Sequence, residues 1–250
     1  MEHVPVQRFC EFMTPSTIEL QFLDELKSDQ REYRRKEVIT REGEKVANVF
    51  LLRSGWVTSS FAVDSGKRNQ LVKLHFPGDV LGLPSIALTK TAETLIAATP
   101  TKVDVIPIER LASMFERAPR LAFTLFLSTQ QERLMLMDHL AAVSHTSAQQ
   151  RVAALLMYVH RRLKLFGECS DVLDLPMSQQ QIADAAGLTS VHVNRTLGEL
   201  KRADLICTEG KVIRLLDIDR LEELAAFPDR ASVRNPWWLT SIGQQPFMGD

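Results

Sequence analysis

The segment 178–200 constrains the fold of this chain most, because it predicts two short helices joined by a tight turn. Ser178 caps the first helix, and Gln181 three residues later completes a capping box. Gly187 follows that helix where a left-handed backbone is needed, and glycine adopts this conformation without steric cost. The segment therefore predicts a helical hairpin with a sharp turn.

The second helix of the pair begins after Thr189, its predicted cap, and turns Val193 and Leu197 inward. Its predicted outward residues are Ser190, Val191, His192, Arg195 and Glu199. In a helix-turn-helix the second helix lies in the DNA major groove and reads base edges from its N-terminal half. An ordinary helical hairpin is the alternative. Residues 205–216 favour the helix-turn-helix, since two β-rich runs around Glu209-Gly210 predict the hairpin of its winged form.

The charge balance does not itself indicate nucleic-acid binding. The formal net charge is -1 over 250 residues, and residues 147–220 hold ten Lys/Arg against nine Asp/Glu. Any DNA affinity must therefore come from the local placement of basic and amide side chains, and it should depend strongly on salt. The length suits two domains, and a hydrophobic fraction of 45% is that of a globular protein.

The cysteines Cys10, Cys169 and Cys207 are too scattered for a metal site, and we expect reduced thiols. No apolar run is long enough to span a membrane, and the acidic start lacks the basic region of a signal peptide. We therefore expect a cytoplasmic protein without a membrane partner.

The N-terminal half predicts a β domain. A helix is expected from about Thr14 to Gln30, followed by a charged, solvated step over 31–36. Short β-rich runs with glycine turns between them fill residues 37–105 and predict an antiparallel sandwich or β-roll. Such a roll is a plausible container for a small molecule. A short helix is expected from Glu109 to Arg117.

A long helical tract from Pro119 toward Val143 carries a heptad pattern typical of a short parallel coiled coil. Gln130 is the polar interruption of the seam. The predicted a and d positions are Phe123, Leu127, Gln130, Leu134, Met137 and Ala141, with Ser144 next in the series. The alternative is a helix that packs only on its own domain.

Residues 144–147 interrupt this tract, and Ser147 with Gln150 predicts a capping box for a fresh helix. A polar loop is expected after Gly167, and a last helix from Asp219 to Phe227. The tail, which holds Pro236-Trp237-Trp238, has no assigned role. The predicted domains are a sensor (1–118), a dimerisation helix and hinge (119–146), a winged helix-turn-helix (147–227) and the tail (228–250).

This order of elements resembles the Crp/Fnr family of bacterial transcription regulators over about Ile18 to Leu216. The resemblance rests most on 182–200 and on the phrase Phe76-Pro77-Gly78-Asp79-Val80-Leu81-Gly82, together with Gly43 and Gly55. It implies an α+β fold, with an N-terminal antiparallel β-roll (jelly roll), a dimerisation helix and a C-terminal winged helix-turn-helix. It also implies a homodimer in which an effector at the roll re-aims two helices on a near-palindromic double-stranded DNA site. RNA polymerase is a further candidate partner.

The effector positions depart from the cyclic-AMP-binding members of that family. Those members carry Gly-Glu and Arg-Ser where this chain has Leu83 and Glu93-Thr94. A carboxylate in place of a phosphate-binding arginine is electrostatically wrong for an anion. We therefore expect a pocket at Leu83, Glu93 and Thr94 to take an apolar or acidic effector other than cyclic AMP, or no ligand.

Neither cofactor used by other branches is expected. The iron–sulfur branch needs four cysteines, and this chain has three. A haem-binding member needs an axial ligand, for which His75 is the one histidine in the strand pattern. A lone histidine on a strand is more often a packed or surface residue.

The DNA-reading residues follow from the resemblance position by position. Arg195 matches an arginine that can pair with a guanine edge or a phosphate. Val191 replaces a glutamate and can pack on a thymine methyl group, and Ser190 replaces an arginine, so the operator should differ from known half-sites. The predicted backbone or accessory contacts are Gln179, Gln180, Thr189, His192, Lys201, Arg202 and Lys211.

Three classes of function remain after these steps, and a DNA-binding transcription regulator is the one we predict. A protein-interaction module built from the winged helix and the roll is the alternative, supported by the near-neutral charge. An enzyme is not expected. Asp138, Ser144 and His145 lie close in sequence, but a helix end with a capping serine explains them without chemistry.

Overall fold

The computed structural model describes residues 7–63, 68–165, 171–225 and 234–242. These residues form two compact units. The first unit comprises 7–57, 75–135 and 234–242, and the second comprises 58–63, 68–74, 136–165 and 171–225. Among these residues, no helix combines the length and the apolar character that crossing a membrane requires.

Two short helices open the first unit, α1 (Gln7–Cys10) and α2 (Thr17–Leu26). Ser16 caps α2, and its side chain and that of Glu19 form a capping box. The predicted helix over 14–30 is therefore too long at both ends. Pro15 precedes the cap, and the chain leaves the helix at Lys27, which has an extended backbone.

An antiparallel β-roll follows, as predicted. Its strands are β1 (Asp29–Tyr33), β2 (Val38–Thr40), β3 (Asn48–Ser54), β4 (Val57–Val63), β5 (Arg68–His75), β6 (Val80–Leu81), β7 (Thr94–Ala97) and β8 (Thr101–Pro107). They form two sheets with the orders β1-β8-β3-β6 and β2-β7-β4-β5. Residues 57–63 form the single continuous strand β4. The charged step 31–36 is mostly solvated, as expected, because most of its residues are exposed.

Apolar side chains fill the space within the roll. The buried cluster there consists of Phe50, Leu52, Val57, Leu81, Leu95, Val103 and Val105, with Tyr33 and Ile39 packed against it. Along β3 these residues alternate with Val49 and Leu51, which belong to a second buried cluster, so the strand is buried on both faces. Dispersion contacts and apolar burial thus hold the roll together.

A helical segment closes the first unit. The predicted helix from Glu109 to Arg117 is two helices, α3 (Ile108–Ala112) and α4 (Met114–Arg117), separated at Ser113. The long helix α5 spans Pro119–His145, two residues beyond the predicted end. The chain is therefore helical through residues 144 and 145, and the predicted interruption is confined to Thr146 and Ser147.

The second unit contains the predicted winged helix-turn-helix. Its elements are α6 (Ala148–Lys164), β9 (Val172–Asp174), α7 (Gln179–Ala186), α8 (Ser190–Arg202), β10 (Ile206–Glu209), β11 (Val212–Leu215) and α9 (Ile218–Ala225). Ser147 and Gln150 form the predicted capping box at the start of α6. Strand β9 lies within the predicted polar loop and pairs with β11, which makes a three-stranded sheet of order β10-β11-β9. Residues 226 and 227 of the predicted last helix lie outside the described residues.

The C-terminal tail packs on the first unit. Its described part, 234–242, contains the short helix α10 (Trp237–Thr240). Leu239 is fully buried in a cluster shared with residues of α1, α2 and α5. The place of this segment in the fold was not predicted from the sequence.

Candidate nucleic-acid interface

Local hydrogen bonds fix the first helix of the pair, α7. The Ser178 hydroxyl accepts a bond from the Gln181 backbone N–H at 3.2 Å. The Gln181 side chain accepts one from the Ser178 N–H at 2.9 Å. This is the predicted capping box, and it satisfies two backbone donors that a helix start otherwise leaves open. The buried face of α7 consists of Ile182, Ala183 and Ala186.

The turn after α7 has the geometry that the glycine predicts. Gly187 is left-handed, with φ 61° and ψ 41°, and its N–H bonds back to the carbonyls of Ala183 and Asp184. The Leu188 N–H donates to the Ala183 carbonyl at 2.8 Å, which completes a Schellman-type ending. Arg151 of α6 donates to the Gly187 carbonyl at 2.9 Å, so the turn is also held from a third helix.

The reading helix α8 begins at its predicted cap, since the Thr189 hydroxyl accepts a bond from the His192 N–H at 3.3 Å. Its buried residues are Val193, Thr196 and Leu200. The prediction that Leu197 faces inward is only partly right, because Leu197 is half-buried. A spacing of three and then four residues keeps Val193, Thr196 and Leu200 on one face.

Glu199 was predicted to face outward, and this is only partly right in the structure. Its side chain is half-buried and accepts a hydrogen bond from Gln149 of α6 at 2.9 Å. Its other oxygen lies 3.5 Å from Nε of Arg195. Glu199 therefore links the reading helix to α6. This long-range contact could not be predicted from the local spacing of apolar and polar residues.

The outward face of α8 presents the predicted reading residues. Val191 is 76% exposed and the Arg195 side chain 66% exposed, and His192 and Thr189 are also exposed. Among the described residues, Arg195 forms one ion pair, the solvent-exposed pair with Glu199, and a pair of this kind is worth about 0.2–1 kcal/mol. Its guanidinium can therefore turn to a new partner at little cost.

Two hydrogen bonds join the polar residues of α7 to those of α8. Ser190 donates to Gln180 at 2.7 Å, and Asn194 donates to Gln179 at 2.9 Å. The structure thus brings Ser190 close to Gln180, and Asn194 close to Gln179. Asn194 was missed. It lies four residues after Ser190 and three after Val191, so helical spacing alone places it on the same face.

The wing follows α8 as predicted, with the turn of its β10–β11 hairpin at Gly210 and Lys211. A groove of about 280 Å³ lies between α8 and this hairpin. Its lining is apolar at Leu175, Leu197 and Ile213 and polar at Gln179, Asn194, Lys201 and Lys211. Two predicted backbone contacts, Lys201 and Lys211, therefore border the same groove.

The basic side chains around this groove are available to a partner. Lys201, Arg202, Lys211 and Arg214 are all exposed, and none forms an ion pair with another residue that the structure describes. The unit is nearly neutral overall, but its cations at the end of α8 and on the wing are not neutralised locally. This arrangement can attract a polyanion over a short range.

The buried histidine of α6 is uncharged near neutral pH. His160 of α6 is buried, and this burial lowers its pKa below the ordinary value for histidine. Asp171, 3.5 Å from its Nε2, opposes the shift. The imidazole is therefore uncharged at pH 7, and it takes no part in the reading surface.

The predicted dimer positions on α5 differ in exposure. Phe123, Leu127 and Leu134 are half-buried, and Gln130, Met137 and Ala141 are exposed. The side chain of Ser144 lies outside the described part. The large apolar residues exposed on this helix are Phe126, Leu136, Met137 and Leu140, of which only Met137 was predicted. The seam remains a prediction, and these four residues indicate an apolar face broader than two heptad positions.

The predicted effector residues do not surround one described cavity. Leu83 borders a cavity of about 10 Å³ with Arg8 and Asp79, which is room for about one water molecule. Glu93 is buried and Thr94 half-buried, where Thr94 accepts a bond from the Glu42 N–H at 3.0 Å, and neither lines that cavity. The effector pocket stays a prediction.

The structure describes the candidate haem ligand His75 and two of the three cysteines. His75 is buried, with Nδ1 3.9 Å from an Asp79 oxygen. Cys10 and Cys207 are free thiols, Cys169 lies outside the described residues, and burial raises the pKa of the Cys10 thiol. Within the described ranges, no three His, Cys, Asp or Glu side chains are grouped to hold a metal ion.

Comparison with known protein families decides the assignment of both units. A cyclic nucleotide-binding domain matches residues 30–118, and a Crp-like helix-turn-helix domain matches residues 150–224. The chain belongs to the Crp/Fnr family. It is a DNA-binding transcription regulator with the β-roll and winged helix-turn-helix fold predicted from the sequence.

Relatives within the Crp/Fnr family cover most of the chain. The transcriptional activator FnrA of Stutzerimonas stutzeri is 28% identical over 195 residues, which is 78% of this chain and 80% of FnrA. The transcriptional activator Anr of Pseudomonas aeruginosa is 28% identical over 216 residues, or 86% of this chain and 88% of Anr. The structure of FixK2 from Bradyrhizobium japonicum superposes with a TM-score of 0.70 at 29% identity, covering 80% of this chain and 98% of FixK2.

Proposed function

We propose that this Crp/Fnr regulator binds a near-palindromic DNA site as a homodimer, with α8 of each copy in one of two successive major grooves. The observation that carries the proposal is the exposed face of α8. The cap and the buried residues Val193, Thr196 and Leu200 hold this helix in place, so its outward side chains project from a rigid backbone. A rigid support is what a base-reading surface needs.

The exposed residues of α8 have distinct roles in this proposal. Arg195 pairs with O6 and N7 of a guanine, and Val191 packs on a thymine methyl group. Asn194 can form the bidentate pair with adenine that its amide favours, once it releases Gln179. Ser190 offers one hydroxyl in place of the family's arginine, so the half-site should differ from that of cyclic-AMP-type members.

The backbone of the DNA contacts the cations around the groove. Lys201, Arg202 and Lys211 bind phosphates, joined by Thr189, Gln179 and Gln180 near the helix starts. Each neutralised phosphate adds to the dependence of the binding constant on salt, by a slope of about -0.9 per contact. A nearly neutral domain can thus bind DNA tightly at low salt.

The exposed apolar residues of α5 support dimerisation along this helix. Phe126, Leu136, Met137 and Leu140 would otherwise remain in contact with water at an energetic cost. The signal at the roll is something other than cyclic AMP, because Glu93 replaces the phosphate-binding arginine. The further partner is RNA polymerase, and the compartment is the cytoplasm.

Selection of sheared genomic DNA on the purified protein, followed by sequencing, tests this function. We expect enriched fragments to share an inverted repeat whose half-sites lie about 10–10.5 base pairs apart, centre to centre. Enrichment of single, unrepeated sites would contradict the dimer. Retention of no fragment at any salt concentration would contradict DNA reading and favour the protein-interaction alternative, which the near-neutral charge also supports.

A further inference from the structure

The tail is fixed to the first unit by its backbone and by a buried side chain. The Asn235 N–H donates to the Phe12 carbonyl at 2.7 Å, and the Asn235 side-chain oxygen accepts from the Thr14 N–H at 3.1 Å. Asn235 takes a left-handed backbone with φ 50°, which asparagine tolerates better than most residues. Together with buried Leu239, these bonds hold α10 at one position.

This fixed tail nevertheless leaves two tryptophans at the surface. Trp237 is 79% exposed and Trp238 is 38% exposed. Tryptophan carries a large apolar area, about 150–250 Å² when buried, so its exposure on an ordered helix is costly. Large exposed aromatic side chains of this kind are typical of interfaces.

Trp238 is continuous with the apolar surface of α5, and Trp237 precedes it in the same short helix. The ring of Trp238 meets Phe123 edge-on, with a centroid distance of 5.5 Å. The ring of Phe123 lies 5.6 Å from that of Phe126, which is itself half exposed. An unbroken row of aromatic rings therefore runs from the tail onto the N-terminal part of α5.

We propose that Trp237 and Trp238 are part of the dimer interface and pack on the α5 helix of a second copy of this chain. The proposal rests on the homodimer proposed above. In a parallel helix pair, equivalent seam positions face each other, so the two Phe123 residues meet near the axis. A ring packed on Phe123 then lies within a side chain's reach of the partner's helix.

Symmetry and size also favour a second copy as the occupant. A two-fold dimer uses the same patch twice, so each tail contributes to both sides of one interface. The predicted seam is short and is interrupted by Gln130, whereas stable interfaces bury about 1,200–2,000 Å² in total. Four tryptophan side chains supply apolar area that the helix seam alone lacks.

Trp237 is the more exposed of the two tryptophans and is therefore the residue to test. Sedimentation equilibrium of the full chain measures the dimer dissociation constant for wild type, Trp237→Ala and the control Ile18→Ala. Ile18 is 77% exposed, lies on α2 and is not one of the residues of the aromatic row. We expect Trp237→Ala to raise the dissociation constant about tenfold or more, with Ile18→Ala unchanged. The tryptophan emission of wild type should also shift to the blue as its concentration rises, and Trp237→Ala should reduce this shift.

The possible outcomes separate this proposal from the homodimer itself. A dissociation constant for Trp237→Ala within twofold of the wild-type value, with a wild-type dimer present, overturns the role of the tail alone. The tail then only supports its own protomer or binds another partner. A wild-type chain that stays monomeric at all concentrations overturns the homodimer, and the tail proposal falls with it.

Discussion

The β-roll and the reading unit use polar side chains in opposite ways. In the roll, Asp104 is buried, pairs with Arg53 and accepts a hydrogen bond from Gln30 at 3.0 Å. In the reading unit, Ser190 and Arg195 stand at the surface, and their partners can be given up to solvent or to DNA. The roll places charge where it fixes the strands, and α8 places it where a partner can reach it.

This difference has an energetic consequence. A buried charge that loses its partner costs several kcal/mol, because it cannot be solvated. An exposed ion pair is worth about 0.2–1 kcal/mol, since water replaces the partner. Substitutions of the two kinds should therefore affect different properties, with stability altered in the roll and binding altered on α8.

The largest effect on stability is expected for Asp104→Ala. This change leaves the Arg53 guanidinium largely buried, and its one remaining acidic partner among the described residues is the exposed Asp24, at 3.1 Å. We expect the free energy of unfolding of the first unit to fall by about 3 kcal/mol. All three tryptophans belong to that unit, so urea denaturation followed by tryptophan emission measures it.

The matched control for this change is Asp29→Ala, on the neighbouring strand β1. Asp29 pairs with Arg31 at 3.0 Å, but both side chains are half exposed. We expect no measurable change in the midpoint of unfolding. Equal losses of stability for Asp104→Ala and Asp29→Ala would remove the contrast between buried and exposed charge.

A smaller effect is expected at the turn of the reading unit. Gly187→Ala places a Cβ on a left-handed residue and should lower the free energy of unfolding by about 1–2 kcal/mol. Gly198→Ala should raise it by about 0.5–1 kcal/mol, because Gly198 lies inside α8 and a Cβ there meets nothing within 4 Å. Thermal melting followed by helical circular dichroism measures both, and a change of the same sign in both variants would contradict the turn geometry.

Local signals in the sequence predicted the helix-turn-helix well. Ser178, Gly187 and Thr189 act on backbone groups within a few residues, so their effect can be predicted from the local sequence. Strand β9 was missed because it has three residues, and its pairing with β11 is a long-range contact. The partial burial of Glu199 was missed for the same reason, since its partner Gln149 lies fifty residues away.

The sequence was enough to predict that the N-terminal half forms a β-roll, but not where an effector would bind in it. Short β-rich runs with glycine turns between them predicted the strands, whereas the order β1-β8-β3-β6 depends on pairing between distant segments. The effector positions came from resemblance and not from packing. The effector-binding roles of Leu83 and Glu93 therefore remain predictions. The position of the tail could not be predicted, because one buried residue, Leu239, does not make a repeating apolar pattern.

The most direct test of the central claim compares two exposed arginines of the reading unit. Arg195 lies 3.5 Å from Glu199, and Arg220 lies 3.6 Å from Asp217, with 66% and 56% of their side chains exposed. Fluorescence anisotropy titration of a genomic fragment selected by the wild type measures the affinity of Arg195→Ala and Arg220→Ala at fixed salt. The account predicts a loss of about 1–3 kcal/mol, or roughly 5–150-fold, for Arg195→Ala and almost none for Arg220→Ala. Equal affinities for the two variants would contradict the assignment of α8 as the reading helix.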